Sequence, residues 1–171
     1  MADSDDARKD HSPRSLPYYE DIVNGSHIRS PYGRTLTDVD NIWFTLLVMD
    51  RNQIHFNSDY TAKNYKDGPF NGRLVMNGIL VLAIVNGLTN EYTSARGFVL
   101  GLDQIQYKNP TFSGDTLYSS VEIVSKRLSK SRQGYGVVVS DTRGENQVGA
   151  EVISFRKTFM LPLHLETGGG E

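Results

Sequence analysis

The chain contains no cysteine, so it can form no disulfide, bind no metal through thiolates and use no cysteine nucleophile. That absence also leaves its redox compartment unmarked. It has no excess of either charge: 18 Lys and Arg stand against 20 Asp and Glu, a formal −2, which excludes bulk attraction for nucleic acid or anionic lipid. Any anionic ligand must be held by a local site. No apolar run reaches the ~20 residues that span a bilayer; the longest, Leu74 to Leu88, would cover only about 22 Å as a helix. The first residues, Met1 to Ser15, lack the apolar h-region of a secretory signal. No His-x-x-x-His pair or Glu-rich box supports a metal site. What remains, 38% hydrophobic and 22% charged among 171 residues, suits a soluble, cytoplasmic globule with one core, burying roughly 70% of its unfolded surface.

The patterned region runs over residues 16–163 and is read as one domain, with 1–15 a loose lead-in and 164–171 a frayed, Gly-rich tail. Thr37 with Asp40 three residues later resembles a capping box, and Val39, Ile42, Trp43, Leu46 and Leu47 recur at helical spacing. The spacing predicts an amphipathic helix within 35–50. Leu74 to Leu88 carries apolar residues on every side, which predicts a helix enclosed by the rest of the protein. After it the period changes to two, at Phe98, Leu100 and Leu102, then Leu117 to Val124, Tyr135 to Val139, and Val148 to Phe159. Turn chemistry at Asn109-Pro110, Ser113-Gly114-Asp115 and Arg143-Gly144-Glu145-Asn146 separates these strands and predicts an antiparallel meander. A sheet curled about one apolar helix, an α+β architecture, hides both.

The segment Asp50-Arg51-Asn52-Gln53-Ile54-His55 places a carboxylate and an imidazole five residues apart at a helix end. Positions 39, 43, 46 and 50 share a helix face, which puts Asp50 on the apolar, inward side. Desolvation and the negative end of the helix dipole both oppose its charge there. Beside an imidazole, such a carboxylate can hold a water and move a proton through it. Turn formation by Asp50 with an ordinary strand role for His55 explains the same residues equally well. His11, His27 and His164 lie outside the patterned core. Asn77-Gly78 falls at the start of the buried helix, where a glycine costs close to ~1 kcal/mol in propensity. Either its free N–H receives a ligand carbonyl or the missing side chain permits close packing. Lys126, Arg127, Lys130 and Arg132 form a basic cluster that reads as a charged hairpin edge, with a phosphate contact as the other use.

Taken together these residues resemble the MaoC-like hydratases and dehydratases. The likeness runs from about Gly33 to Pro162 and rests on Asp50, Asn52, His55 and Asp59 against the hydratase motif, on Met76-Asn77-Gly78-Ile79-Leu80, and on Asn109 to Leu117. It implies a hotdog fold and addition of water to a trans-2-enoyl-CoA, or the reverse dehydration. Asp50 and His55 would handle the water and proton, and the Gly78 N–H the thioester carbonyl. Asn52 would shape the turn and Asn86 would orient a water or the catalytic pair. No cofactor is implied, CoA being part of the substrate. Gln53 stands where the motif has proline, Asn77 where histidine is common, and Asn86 where serine is common. The stretches Asp40 to Leu47 and Arg143 to Gln147 are similar to the subgroup acting on branched dicarboxylyl thioesters such as mesaconyl-CoA, for which Arg73 is the nearest candidate cation. The resemblance further implies a homodimer or higher homo-oligomer. An acyl-CoA thioesterase and a non-catalytic acyl-CoA-binding subunit are the alternatives, since fold does not fix function.

Overall fold

The computed structural model describes residues 16–164. The expected lead-in at 1–15, with His11, and residues 165–171 of the expected tail lie outside the described residues. The elements follow in the order β1 (His27–Arg29), β2 (Arg34–Thr35), α1 (Asp38–Leu47), α2 (Ser58–Asn64), α3 (Gly78–Leu88), α4 (Asn90–Thr93), β3 (Phe98–Tyr107), β4 (Thr116–Leu128), β5 (Tyr135–Glu145) and β6 (Glu151–Pro162), with a short 3₁₀ turn at Gln53–His55. No helix among the described residues is long and apolar enough to cross a membrane.

The sheet is antiparallel, in the order β1-β4-β5-β6-β3, with β2 also paired to β4. It is therefore a meander only over β4, β5 and β6. The segment between β3 and β4 carries the chain from the β3 edge past β6 and β5 to β4, so those consecutive strands are not neighbours. The expected turn at Arg143–Asn146 is displaced. Residues Arg143 to Glu145 still pair with β6, and the reversal follows at Asn146–Gly149, where Gly149 takes a φ of 78° and the Asn146 side chain accepts from Val148 and Ala150 N–H.

One face of the sheet grips α3. Leu80, Val81, Leu82, Val85 and Leu88 are buried against Leu117, Ile153 and Phe155, each such side chain contributing about 1.5–3 kcal/mol. Gly144 sets how close they come, because a Cβ there would lie 2.6 Å from Val85. The expectation that α3 is enclosed on all sides is not met. Ile79, Ala83 and Gly87 are exposed, and the first residues of the apolar run, Leu74 to Asn77, are extended rather than helical. The sheet covers one flank of the helix only, and β3, at the open edge, is exposed on both faces.

The orientation of α1 is the larger correction. Its capping box is present, with Asp40 N–H donating to Thr37 Oγ1 at 3.2 Å and Thr37 N–H to Asp40 Oδ2 at 2.9 Å. The apolar stripe, however, points outward: Val39 is 75%, Trp43 67% and Leu47 63% exposed. Asn41 and Thr45 face inward, both 0% exposed. The surface they meet consists of loop backbone and the start of α3, which offers carbonyls and amides rather than methyl groups, so polar side chains are what it accepts.

The basic cluster is spread over the sheet's far end. Lys126 Nζ donates to Tyr19 O at 3.2 Å, and Arg132 lies over the Phe98 and Tyr135 rings. A different cation is buried. Lys157 on β6 is 1% exposed; its Nζ donates to Thr93 Oγ1 at 3.3 Å and lies 5.3 Å from the Phe159 ring centre, and burial pushes its ammonium down to about 8. A basic group whose folded value lies below its unfolded value of about 10.4 opposes folding most fully below pH 8, and the penalty fades as pH rises through 8 to 10.4. Lys157→Met is accordingly expected to be more stable at pH 7 by about 2–3 kcal/mol. In urea melts its advantage over the wild type should shrink between pH 7 and pH 10; a constant or growing gap would contradict this.

Candidate active site

The site begins where α1 stops. Its last turn closes by Val48 N–H donating to Phe44 O, and Met49 then adopts the left-handed φ of 61°, a conformation costing a non-glycine residue of order 1 kcal/mol. That reversal, together with Asp50 N–H donating to Thr45 O at 3.0 Å, folds Asp50 back toward the protein. Asp50 thus lies beyond the helix and is half-buried. The inward direction expected from the helix face is reached instead through the turn.

Both carboxylate oxygens of Asp50 have donors. Oδ1 accepts from Asn52 N–H at 2.9 Å and Oδ2 from Asn77 Nδ2 at 3.1 Å. Asn52 in turn accepts from Ile54 N–H and caps the Gln53–His55 turn. Gln53, where the motif of related hydratases has proline, uses its side chain to accept from Asn57 Nδ2 at 2.6 Å, tying the turn to the start of α2. His55 Nδ1 lies 2.8 Å from Val75 O. A carbonyl can only accept, so Nδ1 carries a proton and donates it to Val75 O, leaving Nε2 as the ring nitrogen available for proton exchange.

Asn77 joins this loop to α3. Its Oδ1 accepts from Ile79 N–H at 3.0 Å as the helix cap, while its Nδ2 donates to Asp50 and, at 3.4 Å, to Thr45 Oγ1. Gly78 follows as the first helical residue, and its N–H has no hydrogen-bond partner among the described residues. A cavity of about 470 Å³ opens there, with His55, Gly78, Met76, Phe70, Tyr107 and Lys108 in its wall. The Tyr107 ring packs on Gly78, where a Cβ would lie 2.9 Å from it, so close packing accounts for the glycine while its N–H still faces the cavity end of α3. Burial pushes the Tyr107 hydroxyl above its ordinary value.

His55 and Gly78 share the cavity wall at the start of α3, whereas Asp50, Asn52 and Asn77 are hydrogen-bonded to one another beside it and are not in that wall. Two other sequence candidates stand apart. Arg73 donates to Ser113 O at 3.3 Å and its guanidinium lies 4.2 Å from the Phe112 ring centre; it is not in the cavity wall, whereas Lys108 is. Asn86 lies eight residues along α3, about 12 Å from Gly78, with its Oδ1 buried and without a hydrogen-bond partner among the described residues. Sequence reasoning missed Lys108, Asn41 and Thr45. The last two were marked only by being polar at i, i+4 opposite the apolar stripe, a pattern that ordinarily reads as a wet face.

Gly78→Ala is expected to force the Tyr107 ring aside and to lower stability by about 1 kcal/mol. In a Tyr107→Ala background the same change should cost almost nothing, a coupling that thermal melts of the four proteins would measure. Equal losses in both backgrounds would show that the ring is not what demands glycine.

A sequence profile of the mesaconyl-CoA hydratase family matches residues 7–171. Over 84 residues, 48% of this chain and 24% of the relative, the chain is 36% identical to the mesaconyl-CoA hydratase of Haloarcula hispanica. Over 124 residues, 70% of this chain and 33% of the relative, it is 28% identical to the β-methylmalyl-CoA dehydratase of Chloroflexus aurantiacus. The chain thus spans about a quarter to a third of the length of these curated relatives. A Mycobacterium tuberculosis protein described as having a double hotdog fold superposes with a TM-score of 0.74 at 21% identity, over 90% of this chain and 46% of that one. With an antiparallel sheet holding one central helix and a profile match along nearly its whole length, this chain belongs to the mesaconyl-CoA hydratase family, on the α+β hotdog fold of the MaoC-like proteins.

Proposed function

We propose that the chain adds water across the double bond of a trans-2-enoyl-CoA, or runs the reverse dehydration, on a branched dicarboxylyl thioester of the mesaconyl-CoA type. The observation that supports this reading is the cavity at the start of α3, walled by His55 with its Nδ1–H committed to Val75 O and by Gly78 with its N–H unpartnered among the described residues, beside which the Asp50 carboxylate is tied to the α3 cap through Asn77. Water oxygen bonds to the β-carbon while its proton passes to the Asp50–His55 pair. The electrons displaced from the double bond collect on the thioester oxygen, where the Gly78 N–H and the α3 dipole stabilise the developing charge. Return of a proton to the α-carbon completes the hydration. No separate cofactor is called for, because the CoA thioester itself acidifies the α-position.

The profile match and the names of the curated relatives favour the dicarboxylyl class. Lys108 in the cavity wall offers a cation that a second carboxylate can pair with. Incubation with mesaconyl-CoA and crotonyl-CoA should bleach the conjugated thioester absorbance, with mesaconyl-CoA the better substrate. Asp50→Asn and His55→Gln should each lower the rate by at least about 100-fold. Bleaching accompanied by a stoichiometric release of free CoA thiol would replace this reading by thioester hydrolysis, which also destroys the conjugated thioester. Binding of both thioesters without any turnover would leave a non-catalytic subunit.

A second copy of the chain is proposed as the partner, paired along β3. That edge strand exposes Val99, Leu100, Ile105 and Tyr107 and has unpaired backbone groups facing outward, a surface that natural proteins seldom leave open. Sedimentation should show twice the chain mass, and Leu100→Asp should shift it toward the single-chain mass; a wild-type monomer would contradict the pairing.

A further inference from the structure

Asn41 stands outside the groups that the proposed reaction uses, yet its side chain is bonded to the turn that carries His55 and to the stretch that leads into Gly78, and reaches Asp50 through Asn77. It is 0% exposed and sits on the inner face of α1. Its Nδ2 donates to His55 O at 2.8 Å and to Val75 O at 3.0 Å, and its Oδ1 accepts from Asn77 N–H at 2.8 Å. Val75 O is the same carbonyl that receives His55 Nδ1–H, and Asn77 is the residue that donates to Asp50 and caps α3. One turn further along α1, buried Thr45 accepts from Asn77 Nδ2 through Oγ1 and from Asp50 N–H through its carbonyl.

We infer that Asn41 is a positioning residue for the reaction: one buried amide fixes the imidazole tautomer-setting carbonyl of Val75, the backbone of His55 and the residue that orients Asp50. The inference rests on the hydratase reading for its kinetic consequence, though not for its structural one. The physical argument is satisfaction. A buried amide has two donor hydrogens and an acceptor oxygen, and here all three have backbone partners, one on the turn that carries His55 and two on the Val75–Asn77 stretch that leads into α3. The inner face of α1 is therefore a polar template, and the segment Asp40 to Leu47, which resembles the dicarboxylyl subgroup, has its buried polar residues at the two positions that reach Asn77. Removing the amide leaves the His55 carbonyl and the Asn77 N–H unpaired beside the site, and takes from Val75 O the donor it shares with His55 Nδ1–H, so that its peptide is held only by Met76 N–H on Thr111 O and by the imidazole itself.

Asn41→Leu, close to isosteric, tests this beside Thr45→Val and a control, Val138→Ala, which opens a cavity in the second core cluster away from the site. Two readouts are taken on each. In the first, the downfield imidazole N–H resonance of His55, assigned by its loss in His55→Gln, is followed without substrate. It should be sharp in the wild type and in Val138→Ala, and broadened or lost in Asn41→Leu. In the second, mesaconyl-CoA hydration should show kcat reduced roughly 10- to 100-fold in Asn41→Leu with KM changed less than threefold, against an unchanged kcat per folded molecule in Val138→Ala. Should Asn41→Leu fail to fold, Thr45→Val carries the test with a kcat loss of three- to tenfold at unchanged KM. A retained resonance with wild-type kcat, or a kcat loss no greater than that of the control, overturns the assignment. If the wild type hydrates no enoyl-CoA, the hydratase reading fails and the resonance alone decides whether Asn41 holds His55.

Discussion

Asn77 makes three kinds of bond at once: its amide hydrogen goes to Asp50, its carbonyl oxygen caps α3, and its backbone N–H goes to Asn41. The position of the carboxylate relative to the start of the central helix follows from that one side chain. If the Asn77 amide turned, Asp50 would lose one of its two donors, Ile79 N–H would lose its cap, and the Gly78 N–H would no longer be held at a defined distance from the catalytic loop. Histidine is common at this position in related hydratases. Asparagine can donate and accept through one planar group, and so can serve the carboxylate and the helix together.

The electrostatics of the site are shared between two helices. The C-terminal end of α1 is unfavourable to a negative charge by roughly 0.3–1 kcal/mol. The chain reversal at Met49 takes Asp50 away from that end and sets it beside the cap of α3, whose N-terminal dipole favours negative charge by a similar amount. The same positive end faces the thioester oxygen in the proposed reaction. Strain at Met49 and the exposure of its own side chain are local costs of this turn, carried by the packing of α3 into the sheet, where Val85 and Gly144 meet.

Much of this was legible from residue order. The capping box, the four long strands and the apolar helix follow from spacing and turn chemistry, which depend on neighbours within a few positions. The orientation of α1 does not. Periodicity identifies which residues share a face, but whether that face turns inward depends on what waits there, and here it is backbone carbonyls rather than a hydrophobic core. For the same reason Asn41 and Thr45 read as a wet face until the loop at Asn52–His55 and the start of α3 are seen against them. The place of β3 beside β6 rather than β4 is a long-range pairing choice that no local pattern encodes. Arg73 is far nearer to Gly78 along the chain than Lys108 is, yet Lys108 lines the cavity and Arg73 does not. The aromatic ring of Phe112 draws one away from the cavity, while the end of β3 delivers the other to its wall.

The central claim is that Asp50 and His55 direct water onto the double bond rather than onto the thioester carbonyl. Turnover of mesaconyl-CoA in ¹⁸O-labelled water, followed by mass analysis of the acyl group, reads this directly. The account predicts one labelled oxygen on the β-carbon of an intact CoA thioester. Label found instead in the carboxyl group of a released acid would contradict it.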